Sequence, residues 1–128
     1  MKILLVDDDV FICAYLVHVL TIRGHQVVER STGLEGLAAI RNETFDLAVV
    51  DVVMPDMDGI ELVGCLRDRF PNLPILGVSG GDPSMRSGGK LYLDLMRHAG
   101  ADQVLEKPFE EKEFLEAIEV AMGHHHVA

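Results

Sequence analysis

Five short segments built on β-branched or aliphatic runs, each followed by a longer stretch with helical periodicity, decide what this chain can fold into. The expected strands are 2–6, 26–30, 47–51, 75–79 and 103–106. Three of them contain unbroken apolar runs, ILLV, LAVV and ILGV, which suit strands covered on both faces in a parallel sheet. Helices are expected over 10–23, 33–42, 60–70, a segment ending near His98, and 110–122. Gly24 and Pro71 punctuate the first and third of these. Strict alternation of strand and helix implies an α/β doubly wound five-stranded parallel sheet with five helices and right-handed crossovers.

The 128 residues suffice for one domain, and 48% hydrophobic with 25% charged residues supports a packed core rather than disorder. Lys and Arg total 11 against 21 Asp and Glu, a net charge of −10, which argues against direct contact with nucleic acid. No apolar run approaches the length of a membrane span, and the apolar start runs into Asp7, Asp8 and Asp9 rather than on into a secretory signal. The expected setting is cytoplasmic, with no membrane partner. Cys13 and Cys65 lack disulfide or zinc spacing and are expected as buried, reduced thiols.

In a doubly wound sheet the ligand site lies at the carboxyl ends of the strands. The residues there are Asp7 and Asp8, Arg30 and Ser31, Asp51, Ser79, and Glu106 and Lys107. Gathering Asp7, Asp8 and Asp51 in one place would raise their pKa values by mutual repulsion unless a cation sat among them. Oxygen-only ligation suits Mg²⁺ (or Mn²⁺), which commonly shares its coordination sphere with a phosphate. Lys107 and Ser79 could then pair with phosphoryl oxygens, and Asp51 is the candidate nucleophile, forming an aspartyl phosphate. A lone Asp at a strand end is ordinarily a turn or helix cap; five positions converging on one chemistry carry more weight.

The VDD of 6–8, the DVVMPDMDG of 51–59, the hydroxyl of Ser79 after an apolar strand, and the KPF of 107–109 preceded by the GAD of 100–102 together resemble the receiver domains of two-component response regulators. The resemblance runs from Lys2 to about Met122. It implies the flavodoxin-like, CheY-like fold with strand order 2-1-3-4-5, and a receiver over 1–122 with a disordered tail over 123–128. It also implies that Asp51 accepts phosphate from a histidine kinase or histidine phosphotransfer protein. Asp7 and Asp8 would hold Mg²⁺ directly or through water, the backbone carbonyl of Val53 would add a ligand, Lys107 would pair with the phosphoryl group, and the Lys107–Pro108 peptide bond would be cis. Met54 and Pro55 would shape the following loop, and Gly59 would open the next helix.

Two features depart from the family pattern. The aromatic usual three residues before the lysine is replaced by Val104, and the 28 positions from Ser79 to Lys107 are more than is usual. The surplus falls in the Gly-rich stretch 80–90, expected to be a flexible turn. The switch is therefore expected to involve Ser79, Gly80, Gly81 and the following helix, with Val104 in the aromatic's place. Val53 and Gly81 cannot orient an attacking water, which implies slow to intermediate self-dephosphorylation.

Phe11, Ile12, Tyr15, Leu16, Val19 and Leu20 make the first helix largely core. Phe11 and Tyr15 are kept as a kinase-docking edge. The glutamates of the last helix read as a solvated face, and His124 to His126 as a disordered tail. His18, His25 and His98 have no ligand spacing.

The expected function is a stand-alone phospho-acceptor that catalyses only its own phosphorylation and dephosphorylation and signals to a partner protein. A domain cut from a longer regulator or hybrid kinase, an Asp-nucleophile phosphohydrolase, a binding module with a vestigial site, and a phosphorylation-dependent homodimer stay open.

Overall fold

The computed structural model describes residues 1–54, 56–80 and 88–123, with 88–90 as backbone only. Along the chain come β1 (Lys2–Val6), α1 (Val10–Thr21), β2 (Gln26–Arg30), α2 (Gly33–Asn42) and β3 (Leu47–Asp51). They are followed by α3 (Gly59–Arg69), β4 (Ile75–Gly80), α4 (Gly88–Ala99), β5 (Gln103–Lys107) and α5 (Glu111–Gly123). The sheet is parallel throughout, in the order β2-β1-β3-β4-β5. This is the doubly wound sheet, in the strand order 2-1-3-4-5, expected from the alternation and the resemblance.

Strand side chains alternate between two cores. Leu4, Val6, Ala48, Val50 and Ile75 face α2, α3 and α4, where Ile40, Leu62, Leu66 and Met96 complete the packing. Ile3, Leu5, Leu47, Val49, Leu76 and Val78 face α1 and α5, against Leu16, Leu20, Phe114 and Ile118. Burial of each such aliphatic side chain contributes about 1.5–3 kcal/mol, and double-sided burial is why these strands read as unbroken apolar runs.

The helix starts carry their own signals. Asp9 caps α1 by accepting from the amides of Phe11 and Ile12, Thr32 caps α2 through Glu35, and Asp58 caps α3 through Glu61. α1 stops at Thr21, short of the expected Arg23, because the chain reverses through Gly24 at φ 86°, a conformation that favours glycine. The Gly-rich stretch is not one loop: Gly80 extends β4 by pairing with Lys107, and residues 88–90 already belong to α4. Residues 81–87, Gly81 among them, lie outside the described residues, as do Pro55 and His124 to His126. α5 includes Gly123, so the expected tail loses its first residue to the helix.

From β1 the chain crosses to β2 on one side and reaches β3 on the other. The crevice at their carboxyl ends is therefore the place to seek chemistry.

Candidate functional site

Val6 pairs with Val50, so Asp7 just beyond β1 and Asp51 closing β3 stand side by side at the rim of the sheet. Ser79 lies one step past the Asp51 level on β4, and Lys107 one step further out on β5. Asp7 and Asp51 are buried, at 3% and 5% exposure, whereas Asp8 is exposed. One carboxylate oxygen from each of the three lies within 4.8 Å of the other two.

The Lys107 ammonium donates to Asp7 Oδ2 at 2.8 Å and stands 3.5 Å from Asp51 Oδ1. The backbone N–H of Asp9 donates to the other oxygen of Asp7 at 2.9 Å, and the Cys13 thiol donates to the Asp7 carbonyl at 3.2 Å. Asp7 is therefore well partnered. Among the described residues, the buried Asp51 Oδ1 and the buried Ser79 Oγ make no hydrogen bond at all.

Electrostatics follow this division. Burial foremost, then the charge of Asp7, push the Asp51 carboxyl up to about 7, and Lys107 only partly opposes them. Repulsion among the acids, the cause expected from sequence, thus ranks behind burial. Burial pulls Lys107 down, but its bond to Asp7 and the charges of Asp51 and Asp7 outweigh it and hold its pKa above the ordinary lysine value. Burial, with Asp7 next, pushes the Cys13 thiol up to about 12, so it stays protonated.

One lysine cannot neutralise three carboxylates, and a buried oxygen without a hydrogen bond is costly to leave so. A hard divalent cation held by oxygen ligands fits this donor set, and Asp7, Asp8 and Asp51 are the residues that could hold it.

Gly59 closes the loop behind Asp51. Its amide donates to Val52 O at 2.8 Å, and a Cβ there would overlap the Asp51 carbonyl oxygen and come within 2.7 Å of Val52 Cα. Val53 exposes 59% of its surface in this loop. Val104 is half-buried against the core beneath α3 and α4, and a Cβ on Gly80 would meet, among the described residues, Lys107 Cδ at an ordinary 3.6 Å. The Lys107–Pro108 bond is cis.

A family model described as the response regulator receiver domain matches residues 3–119. The chain belongs to that family. This receiver is 40% identical over 115 residues to the response regulator MprA of a Mycobacterium species, covering 89% of the chain and 47% of that relative. It is 34% identical over 117 residues to the response regulator protein FleR of Pseudomonas aeruginosa, covering 91% of the chain and 24% of that protein. The receiver thus spans half or less of these curated relatives. Among solved structures, a CheY-like receiver domain protein of Methanospirillum hungatei superposes with a TM-score of 0.80 at 34% identity, over 97% of this chain and 94% of that one. Brucella abortus NtrX gives 0.86 at 26% identity, over 97% of this chain and 28% of that one.

On α1, Leu16, Val19 and Leu20 are buried as expected, while Val10 and Phe11 are 76% and 87% exposed and Tyr15 is partly so. An apolar edge therefore flanks the acidic cluster of the receiver. Cys13 is buried, Cys65 only half-buried, and both are free. Two residues escaped the sequence reading. Arg67 binds the Gly100 carbonyl and the Asp102 carboxylate, partners 33 and 35 positions away that no local pattern reveals. Asp56 accepts from the amides of Gly33 and Leu34, and its only sequence signal was membership of the acidic 51–59 motif.

Proposed function

We propose that Asp51 accepts a phosphoryl group, in a Mg²⁺- or Mn²⁺-dependent reaction, from a histidine kinase or histidine phosphotransfer protein. The observation that carries this reading is Asp51 Oδ1, which is buried beside Asp7 and Asp8, makes no hydrogen bond among the described residues and has Lys107 3.5 Å away. Asp7, Asp8, Asp51 and the Val53 carbonyl would hold the cation, which lowers the charge that the incoming phosphoryl group meets. Asp51 attacks phosphorus, an O–P bond forms as the N–P bond of phosphohistidine breaks, and the leaving imidazole takes up a proton.

Lys107, already poised between Asp7 and Asp51, pairs with a phosphoryl oxygen. The buried Ser79 hydroxyl, which has no hydrogen bond among the described residues, donates to another. Motion of Ser79 would pass to Gly80 and the start of α4, with Val104 in place of an aromatic relay. The exposed edge of Val10, Phe11 and Tyr15 is where the phosphodonor protein would dock. The protein acts in the cytoplasm as a switch for a partner protein, alone or as the receiver of a longer regulator, and is not an enzyme on external substrates.

Incubation with acetyl phosphate or phosphoramidate and Mg²⁺, followed by intact mass, tests this. One stable phosphoryl addition, absent from Asp51→Asn, supports the reading. Turnover without an adduct would point to a phosphohydrolase, and no reaction to a vestigial site.

A further inference from the structure

We propose that Asp56 is a positioning residue for the cation site, latching the loop after β3 onto the N-terminus of α2; this rests on the cation reading given above. Its exposed carboxylate straddles two free helix amides, accepting from Gly33 N at 3.0 Å and Leu34 N at 2.9 Å. The bond from Leu34 foremost, with that from Gly33, holds its pKa below the usual carboxylate range.

The neighbouring Met57 seals the same junction. A Cβ on Gly33 would come within 2.9 Å of Met57 Cβ, so the absence of a side chain lets loop and helix touch. One turn on, Gly36 lies so close to Val6 that an added Cβ would be 2.8 Å from its Cγ2. Val6 immediately precedes Asp7. The first turns of α2 are therefore a strut between two halves of the site: the end of β1, which carries Asp7 and Asp8, and the loop, which carries Val53.

The loop is fixed at its base by the Gly59 amide on Val52 O. Asp56 fixes its far side, three residues beyond Val53. Without the latch the loop gains conformational freedom that must be lost again when a cation is bound, and affinity falls.

The test is a calorimetric Mg²⁺ titration of the parent, Asp56→Ala, Asp56→Asn and Thr32→Ala. Asp56→Ala is expected to weaken binding about tenfold, as loss of a group orienting a ligand does. Asp56→Asn, which keeps an acceptor oxygen, should recover part of the loss and carries the test if the alanine variant does not fold. Thr32→Ala removes the side-chain cap of the same helix without touching the loop, and should leave affinity near the parent value. Parent-like affinity in Asp56→Ala would overturn the latch, as would an equal loss in Thr32→Ala, which would trace the effect to helix stability. A parent that binds no Mg²⁺ would overturn the cation reading itself. A parent that binds Mg²⁺ but accepts no phosphoryl group would overturn the phosphoacceptor role and leave the latch supported by the affinities.

Discussion

Lys107 and Asp7, 100 positions apart in sequence, close a 2.8 Å hydrogen-bonded ion pair at the carboxyl edge of the sheet. The bond turns the lysine toward the better partnered of the two buried acids. Asp51 Oδ1 has the longer, 3.5 Å approach of that ammonium, and burial leads in setting its protonation.

Removing that lysine should be costly at neutral pH. Lys107→Ala leaves the acidic cluster without its cation, and loss of one partner of a buried pair predicts about 3 kcal/mol of destabilisation in urea unfolding without divalent metal. Added Mg²⁺ should restore part of it. A parent-like midpoint in metal-free buffer would contradict the central place given to this pair.

Metal-free stability should fall as pH rises. The folded protein keeps a proton on Asp51 up to about pH 7, whereas the unfolded chain releases it near 3.8. The folded state thus binds more protons in that window. The contribution is complete below about pH 4, is lost progressively up to about 7, and is flat above. Asp51→Asn removes this dependence and should exceed the parent at pH 8 by on the order of a few kcal/mol. Urea midpoints in EDTA from pH 4 to 8 check this, and parallel profiles for the two proteins would refute it.

Gly59→Ala should disrupt the phosphoacceptor loop. The added methyl overlaps the Asp51 carbonyl oxygen, a backbone atom that cannot swing aside, so a loss of about 3 kcal/mol is expected. Thermal unfolding measures it, and the variant's phosphoryl uptake from acetyl phosphate should drop with it.

Arg67 joins α3 to the start of β5. Its Nη2 lies 2.7 Å from Asp102 Oδ2 and 2.8 Å from Gly100 O, and its Nη1 lies 2.8 Å from Pro71 O. Asp102 Oδ2 also accepts from Ile75 N at 2.8 Å. Arg67→Ala should cost about 3 kcal/mol, and Arg67→Lys should recover little because a single ammonium cannot reproduce the fork. A double-mutant cycle with Asp102→Ala would expose the coupling; additive losses would argue against it.

Val53 presents an exposed aliphatic side chain in the loop after Asp51. An amide there could orient water toward a phosphoryl group, so Val53→Asn should speed acyl-phosphate decay severalfold, followed by intact mass. An unchanged rate would count against a role for this position.

The fold was legible because β1, β3 and β4 are apolar on both faces, β2 and β5 carry shorter aliphatic cores, and the helices carry their own punctuation. Both are local signals, and β1, β2, β3 and α2 begin and end where these place them. Lys107, Ser79 and the three acids were legible because a doubly wound sheet sends its strand ends to one edge. Asp56 and Arg67 were not, since their partners lie 22 to 35 positions away and only packing brings them together.

By itself the sequence determined the alternation of elements, the sheet edge where polar groups collect and the residues gathered there. Tertiary structure decided how those residues share their bonds. Lys107 hydrogen-bonds Asp7, Asp51 Oδ1 and Ser79 Oγ are buried with no hydrogen bond among the described residues, and burial rather than repulsion leads in raising the Asp51 pKa. Solvent exclusion and hydrogen-bond geometry depend on distances of a few tenths of an ångström between strands remote in sequence, and residue type and spacing do not encode them.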